Sequence, residues 1–91
     1  MLVFSEVING MQIVGNMIML PNKNQISHDR DNGWVLEQFE YIEVNNGKSV
    51  NMFSVFYSFD ILEDAIIYGK RLNAHTREKI INELLERKRY V

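Results

Sequence analysis

Residues 58–89, SFDILEDAIIYGKRLNAHTREKIINELLERKR, constrain this chain most, because no other part has a clear helical period. Ile61, Leu62, Ala65, Ile66, Gly69 and Leu72 recur at steps of three and four and make one apolar stripe. Ile80, Ile81, Leu84 and Leu85 make a second, whose centre lies roughly 100° around the helix axis from the first. One straight helix cannot point both stripes at the same surface. Asn73-Ala74-His75-Thr76, with Thr76 as an N-cap, is therefore the expected break, giving helices over 60–72 and 77–89. A single long helix whose second half faces another neighbour is the alternative. Asp60 followed by Glu63 reads as a capping box for the first helix.

Upstream, the pattern is that of strands. Residues 2–8 and 11–20 flank Asn9-Gly10, the dipeptide best suited to a two-residue type I′ hairpin. That pairing sets Ile8 opposite Met11 and gathers Leu2, Phe4, Ile8, Met11, Ile13 and Met17 on one face, with Glu6 as a polar intruder and Gly15 opposite Phe4. Methionines at 11, 17 and 19 fit gap-filling core better than an adaptable binding surface. Pro21 ends the strand, and residues 21–33 read as a long polar loop, either mobile or functional. Strands over 34–44 and 49–57 then flank Asn45-Asn46-Gly47, a three-residue loop with a bulge at Gly47 that pairs Ile42 with Val50, Leu36 with Phe56 and Phe39 with Phe53. The expected fold is α+β: a four-stranded antiparallel sheet from two hairpins, packed against the C-terminal helices, in a single domain over 1–91.

Charge divides the chain. Residues 1–69 hold three Lys or Arg against nine Asp or Glu, a net of −6, whereas residues 70–91 hold seven against three, a net of +4. The two ends can face different kinds of surface. There is no cysteine, hence no disulfide framework, thiolate nucleophile or Cys-ligated metal. The N-terminal MLVFSEVINGM lacks a basic n-region and breaks its apolar run with Ser5, Glu6, Asn9 and Gly10, so neither a signal peptide nor a membrane span is read there and a cytoplasmic protein is expected.

Few chemistries survive this reading. His28, Asp29 and Asp31 are the one cluster that resembles a metal site, but a calcium loop started at Asp29 meets Gly33 at its fifth position, and one started at Ser27 meets Gln38 at its twelfth. Solvated loop residues are the better reading, and no metal and no cofactor is expected. The five glycines are dispersed and form no phosphate loop, and no nucleophile elbow is present. His28 and His75 offer an acid–base pair only if the fold joins them. Glu37, Glu40 and Glu43 suit a solvated strand edge or an acidic strip facing a basic protein better than acid–base catalysis, which needs a burial-raised pKa. A non-enzymatic binding protein is expected.

The hairpin GWVLEQFEYIEVNNGKSVNMFSVFYSF running into FDILEDAIIYGKRL resembles the strand–strand–helix core of small bacterial domains, among them antitoxins and immunity proteins of contact-dependent inhibition and related toxin systems. The resemblance covers residues 33–72, carries no site residue with it and implies a toxin-neutralising partner. The expected contact with a basic, nuclease-type protein is the strip of Glu37, Phe39, Glu40, Tyr41 and Glu43, where acidic charge speeds encounter and aromatic anchors supply affinity. The alternative is a nucleic-acid-binding regulator that uses the basic C-terminal helix through Arg77, Arg87, Lys88 and Arg89. Glu78, Glu83 and Glu86 interleave with those cations and the overall pI is 5.6, which weighs against it. A homodimer through the apolar second face of the sheet is compatible with either.

Overall fold

The computed structural model describes residues 5–8, 11–14 and 17–89. Six strands, β1 (Ser5–Ile8), β2 (Met11–Val14), β3 (Met17–Met19), β4 (Gln25–Asp29), β5 (Gly33–Asn45) and β6 (Lys48–Phe59), are followed by helices α1 (Leu62–Arg71) and α2 (Arg77–Arg89). The strands form one antiparallel sheet in sequence order, and the C-terminal helices pack against it. The α+β architecture and both expected hairpins are present. Ile8 faces Met11 as expected. The turn at Asn9-Gly10 and the placing of Gly15 against Phe4 lie outside the described residues.

Two further strands extend the sheet, and each corrects an expectation. The run 11–20 is not one strand: the chain reverses between Val14 and Met17, which pair. Gly15-Asn16 is itself a hairpin-forming dipeptide, a signal masked by the apolar residues on both sides. Nor is 21–33 a loop. It is a tight turn, then β4, then a second turn into β5. β4 contributes one apolar side chain, Ile26, and that side chain is fully buried. A strand that buries one face through a single residue leaves little trace in hydropathy.

The β5–β6 register departs from the three-residue loop. Asn46 and Gly47 have φ of 51° and 75°, the backbone of a two-residue turn of the primed type, so Asn45 pairs with Lys48. Ile42 therefore faces Asn51 and Leu36 faces Tyr57, each one residue from expectation. Phe39 still faces Phe53, because the register shifts by one residue between Leu36 and Glu37 and shifts back between Phe39 and Tyr41. Phe56 is the extra residue in the first shift and Glu40 in the second. Such bulges bend a strand and re-aim its side chains.

The core lies between sheet and helices: Ile18, Leu20, Ile26, Leu36 and Phe59 from the strands, Ala65, Leu72, Ile80 and Leu84 from the helical segment, flanked by Trp34, Leu62, Ile66 and Tyr68. α1 approaches closely at Gly69, where a Cβ would come within 2.5 Å of Leu20 Cδ1. Residues of both helical stripes reach this one core because the chain breaks at 73–76, which excludes the single long helix, while Ile61, Ile81 and Leu85 stay exposed. The Asn73 side chain accepts the N–H of His75 and of Thr76, and the Thr76 hydroxyl donates to Arg71 O at 2.7 Å. The capping box at Asp60 does not form. Ile61 occupies the N-cap position with no side-chain cap, since β6 must run to Phe59 to bury that ring opposite Trp34. Glu63 and Asp64 still place negative charge in the first turn.

Candidate functional site: the β5–β6 arm

β4 ends its pairing at Gln25, opposite Glu37, and β5 continues for eight residues past that point with β6 beside it. This two-stranded arm, residues 38–54, projects from the sheet, and every residue from Glu40 to Val50 is exposed. Its root is fixed by Asn24, which is buried. The Phe39 N–H, left open where β4 stops, donates to Asn24 Oδ1 at 2.8 Å. Asn24 Nδ2 donates to Gly69 O and Leu72 O, both at 2.8 Å, so one amide ties the arm to the end of α1. Asn22 Nδ2 also donates to Gly69 O at 2.8 Å, and Lys23 holds its ammonium 5.1 Å from the Phe39 ring centroid.

The bulge at Glu40 divides the expected strip. Paired strand residues share a face and neighbours alternate, so Glu37 (with Val55) and Phe39 (with Phe53) lie on one face while Tyr41 (with Met52) and Glu43 (with Val50) lie on the other. Phe39 is half-buried, its ring edge-on to Phe53 with centroids 6.1 Å apart. Tyr41 is 56 % exposed and Glu43 is exposed beside it, while the Glu40 carboxylate accepts the Ser54 hydroxyl. Three apolar residues outside the expected strip join them: Val50 on the Tyr41 face, and Ile42 and Val44 on the opposite one, Val44 being 71 % exposed. The ladder is regular from Tyr41 to the turn, so Tyr41 and Val50 share a face, and the bulge sets that face opposite the one that carries Glu37 and Phe39.

The basic candidates fare differently. Arg77 turns inward, donating from Nη1 at 2.6 Å to the side-chain oxygen of Gln38, which is buried, and covering the Phe56 ring at 5.1 Å. Arg87 donates to the Tyr68 hydroxyl at 3.2 Å and pairs with Asp64 at 3.5 Å, contacts that raise its pKa above the ordinary value, the Tyr68 hydrogen bond first. Arg71 pairs with Glu83 at 2.7 Å. Lys88 and Arg89 end α2, and their side chains lie outside the described residues.

His28 lies on β4, edge-on to Trp34 at 4.6 Å, and His75 lies in the turn between the helices. Asp29 accepts the Asp31 N–H at 2.8 Å and the Asn32 side-chain amide at 3.0 Å, bonds that hold its pKa below the ordinary value. It shapes the turn that begins β5. Among the described residues no group of three or more His, Asp or Glu gathers as a metal site, and no helix is long and apolar enough to cross a membrane. No family model matches this chain, and neither does a curated protein or a solved structure.

Proposed function

We propose that this chain is a non-enzymatic binding domain that engages one protein stoichiometrically through the β5–β6 arm, with toxin neutralisation as its role. The observation that carries the reading is the arm itself, where Tyr41, Ile42, Val44 and Val50 stand exposed among Glu40 and Glu43 on a ribbon that no other described element covers. A two-stranded ribbon has little stability of its own in water, and its apolar side chains are better buried against another surface. Aromatic and branched side chains ringed by charge suit a partner contact in which the apolar residues anchor and the charges steer. The glutamates favour a basic partner, and the resemblance of 33–72 to immunity and antitoxin domains supports a nuclease-type toxin. The nucleic-acid reading is less supported, since the Arg77 and Arg87 guanidinium groups are engaged within the chain.

The test is affinity capture from the native host at low salt, with nuclease treatment, followed by mass spectrometry and light scattering. The expected result is one basic protein in fixed ratio that survives the nuclease. Nucleic acid that disappears with the treatment and leaves no protein behind would overturn the proposal in favour of the basic helix.

A further inference from the structure

An asparagine followed by glycine is chemically labile, because the glycine N–H can reach the asparagine side-chain carbonyl with no side chain in the way. Two such steps lie wholly among the described residues: Asn32-Gly33 at the start of β5 and Asn46-Gly47 at the end of the arm. Their chemistry is the same and their surroundings differ. Cyclisation needs an asparagine side chain that is free to turn and a glycine peptide that is free to swing toward it.

Asn32 meets neither condition. Its amide nitrogen donates to the Asp29 carboxylate at 3.0 Å, and Gly33 is paired with Asp29 in the ladder. The Gly33 backbone also lies hard against Phe59, whose carbonyl oxygen a Cβ on Gly33 would meet at 2.6 Å. Asn46 meets both. It is exposed, no hydrogen bond holds its side chain among the described residues, and a Cβ on Gly47 would find nothing within 4 Å. Its φ of 51° belongs to the closed turn, so attack follows opening of that turn. At the exposed end of a two-stranded ribbon such opening costs little.

We propose that Asn46 is a site of spontaneous deamidation, which adds a negative charge to the arm as the protein ages. Solvent hydroxide removes the Gly47 N–H proton, and the nitrogen attacks Asn46 Cγ. The new N–C bond forms as the side-chain amide nitrogen departs as ammonia. Water then opens the cyclic imide at one of its two carbonyls, leaving either aspartate or a β-linked isoaspartate. Each product carries a carboxylate where the amide was neutral, and water is the one co-reactant. The new charge joins Glu40 and Glu43 on the arm. The β-linked product also inserts a backbone atom into the two-residue turn that Asn45 and Lys48 close, a change that this turn geometry does not absorb. The core is untouched, because no residue of the tip belongs to it. The chemistry does not depend on the partner reading above.

Peptide mapping by electron-transfer mass spectrometry tests the proposal on folded protein aged at neutral and at mildly alkaline pH, with a parallel sample in guanidinium chloride. Circular dichroism verifies the fold. In the folded chain Asn46 should lose its amide at least about 10-fold faster than Asn32, the ratio set by about 1.4 kcal/mol of difference in local opening. The rate should rise with pH, since the attacking nitrogen must lose its proton. In denaturant the two steps should converge. Equal rates in the folded chain would overturn the proposal, as would an Asn46 amide that survives folded while the denatured chain loses it. A difference that persists unchanged in denaturant would also overturn it, by placing the cause in local sequence rather than in the fold.

Discussion

The amide of Asn24 satisfies three backbone groups that their own elements leave open: the Phe39 N–H at the root of the arm and the Gly69 and Leu72 carbonyls at the end of α1. Two of these are orphans of helix termination and one of strand termination, and all three sit where water does not reach Asn24. Replacing Asn24 by Ala removes three hydrogen bonds and strands the Phe39 N–H, while Asn22 still reaches Gly69 O. At about 1 kcal/mol per lost bond, plus at least about 1 kcal/mol for the unmet donor, the expected loss is about 4 kcal/mol, read as a lowered denaturant midpoint. Nothing in the sequence marked this residue. It sits in a polar run, PNKNQ, where asparagines ordinarily mean exposed turns, and its burial follows only once α1 has come down on the sheet.

Among the elements, the break between the helices was legible because two stripes out of phase cannot share one core. The strands were less so. β4 has one apolar residue, the buried Ile26, among four polar ones of which three are half-buried, so its alternation had one apolar point to show. The reversal between β2 and β3 was written in Gly15-Asn16 but lay inside an apolar stretch. Bulges leave no signature of their own in sequence, and the one at Glu40 decides which residues of the candidate strip share a face. The mooring of α2 left no mark in the sequence either. Arg77, named from sequence as a candidate for phosphate contact, fastens the start of α2 to buried Gln38. Arg77→Ala is expected to cost about 2 kcal/mol, the range of a hydrogen bond from a charged donor, whereas Lys79→Ala on the same helix should stay within about 0.5 kcal/mol. Chemical denaturation of the two variants separates a moored arginine from a solvated cation.

At the scale of the molecule, a compact sheet-and-helix body carries a long ribbon, and the extents of 48 × 30 × 26 Å reflect that asymmetry. The acidic, apolar arm was partly legible: Glu40, Tyr41 and Glu43 were named from sequence, and Ile42, Val44 and Val50 join them because the sheet stops short of the hairpin's end. Glu37 and Phe39 belong to its root, on the other face. The most direct measurement is calorimetric titration of the captured partner with the wild type, Tyr41→Ala and Glu40→Lys, alongside their thermal midpoints. Binding through the arm predicts a loss of at least about 10-fold, some 1.4 kcal/mol, for either variant, with midpoints close to the wild type because both side chains are exposed. Unchanged affinity in both variants, with the fold intact, would contradict it.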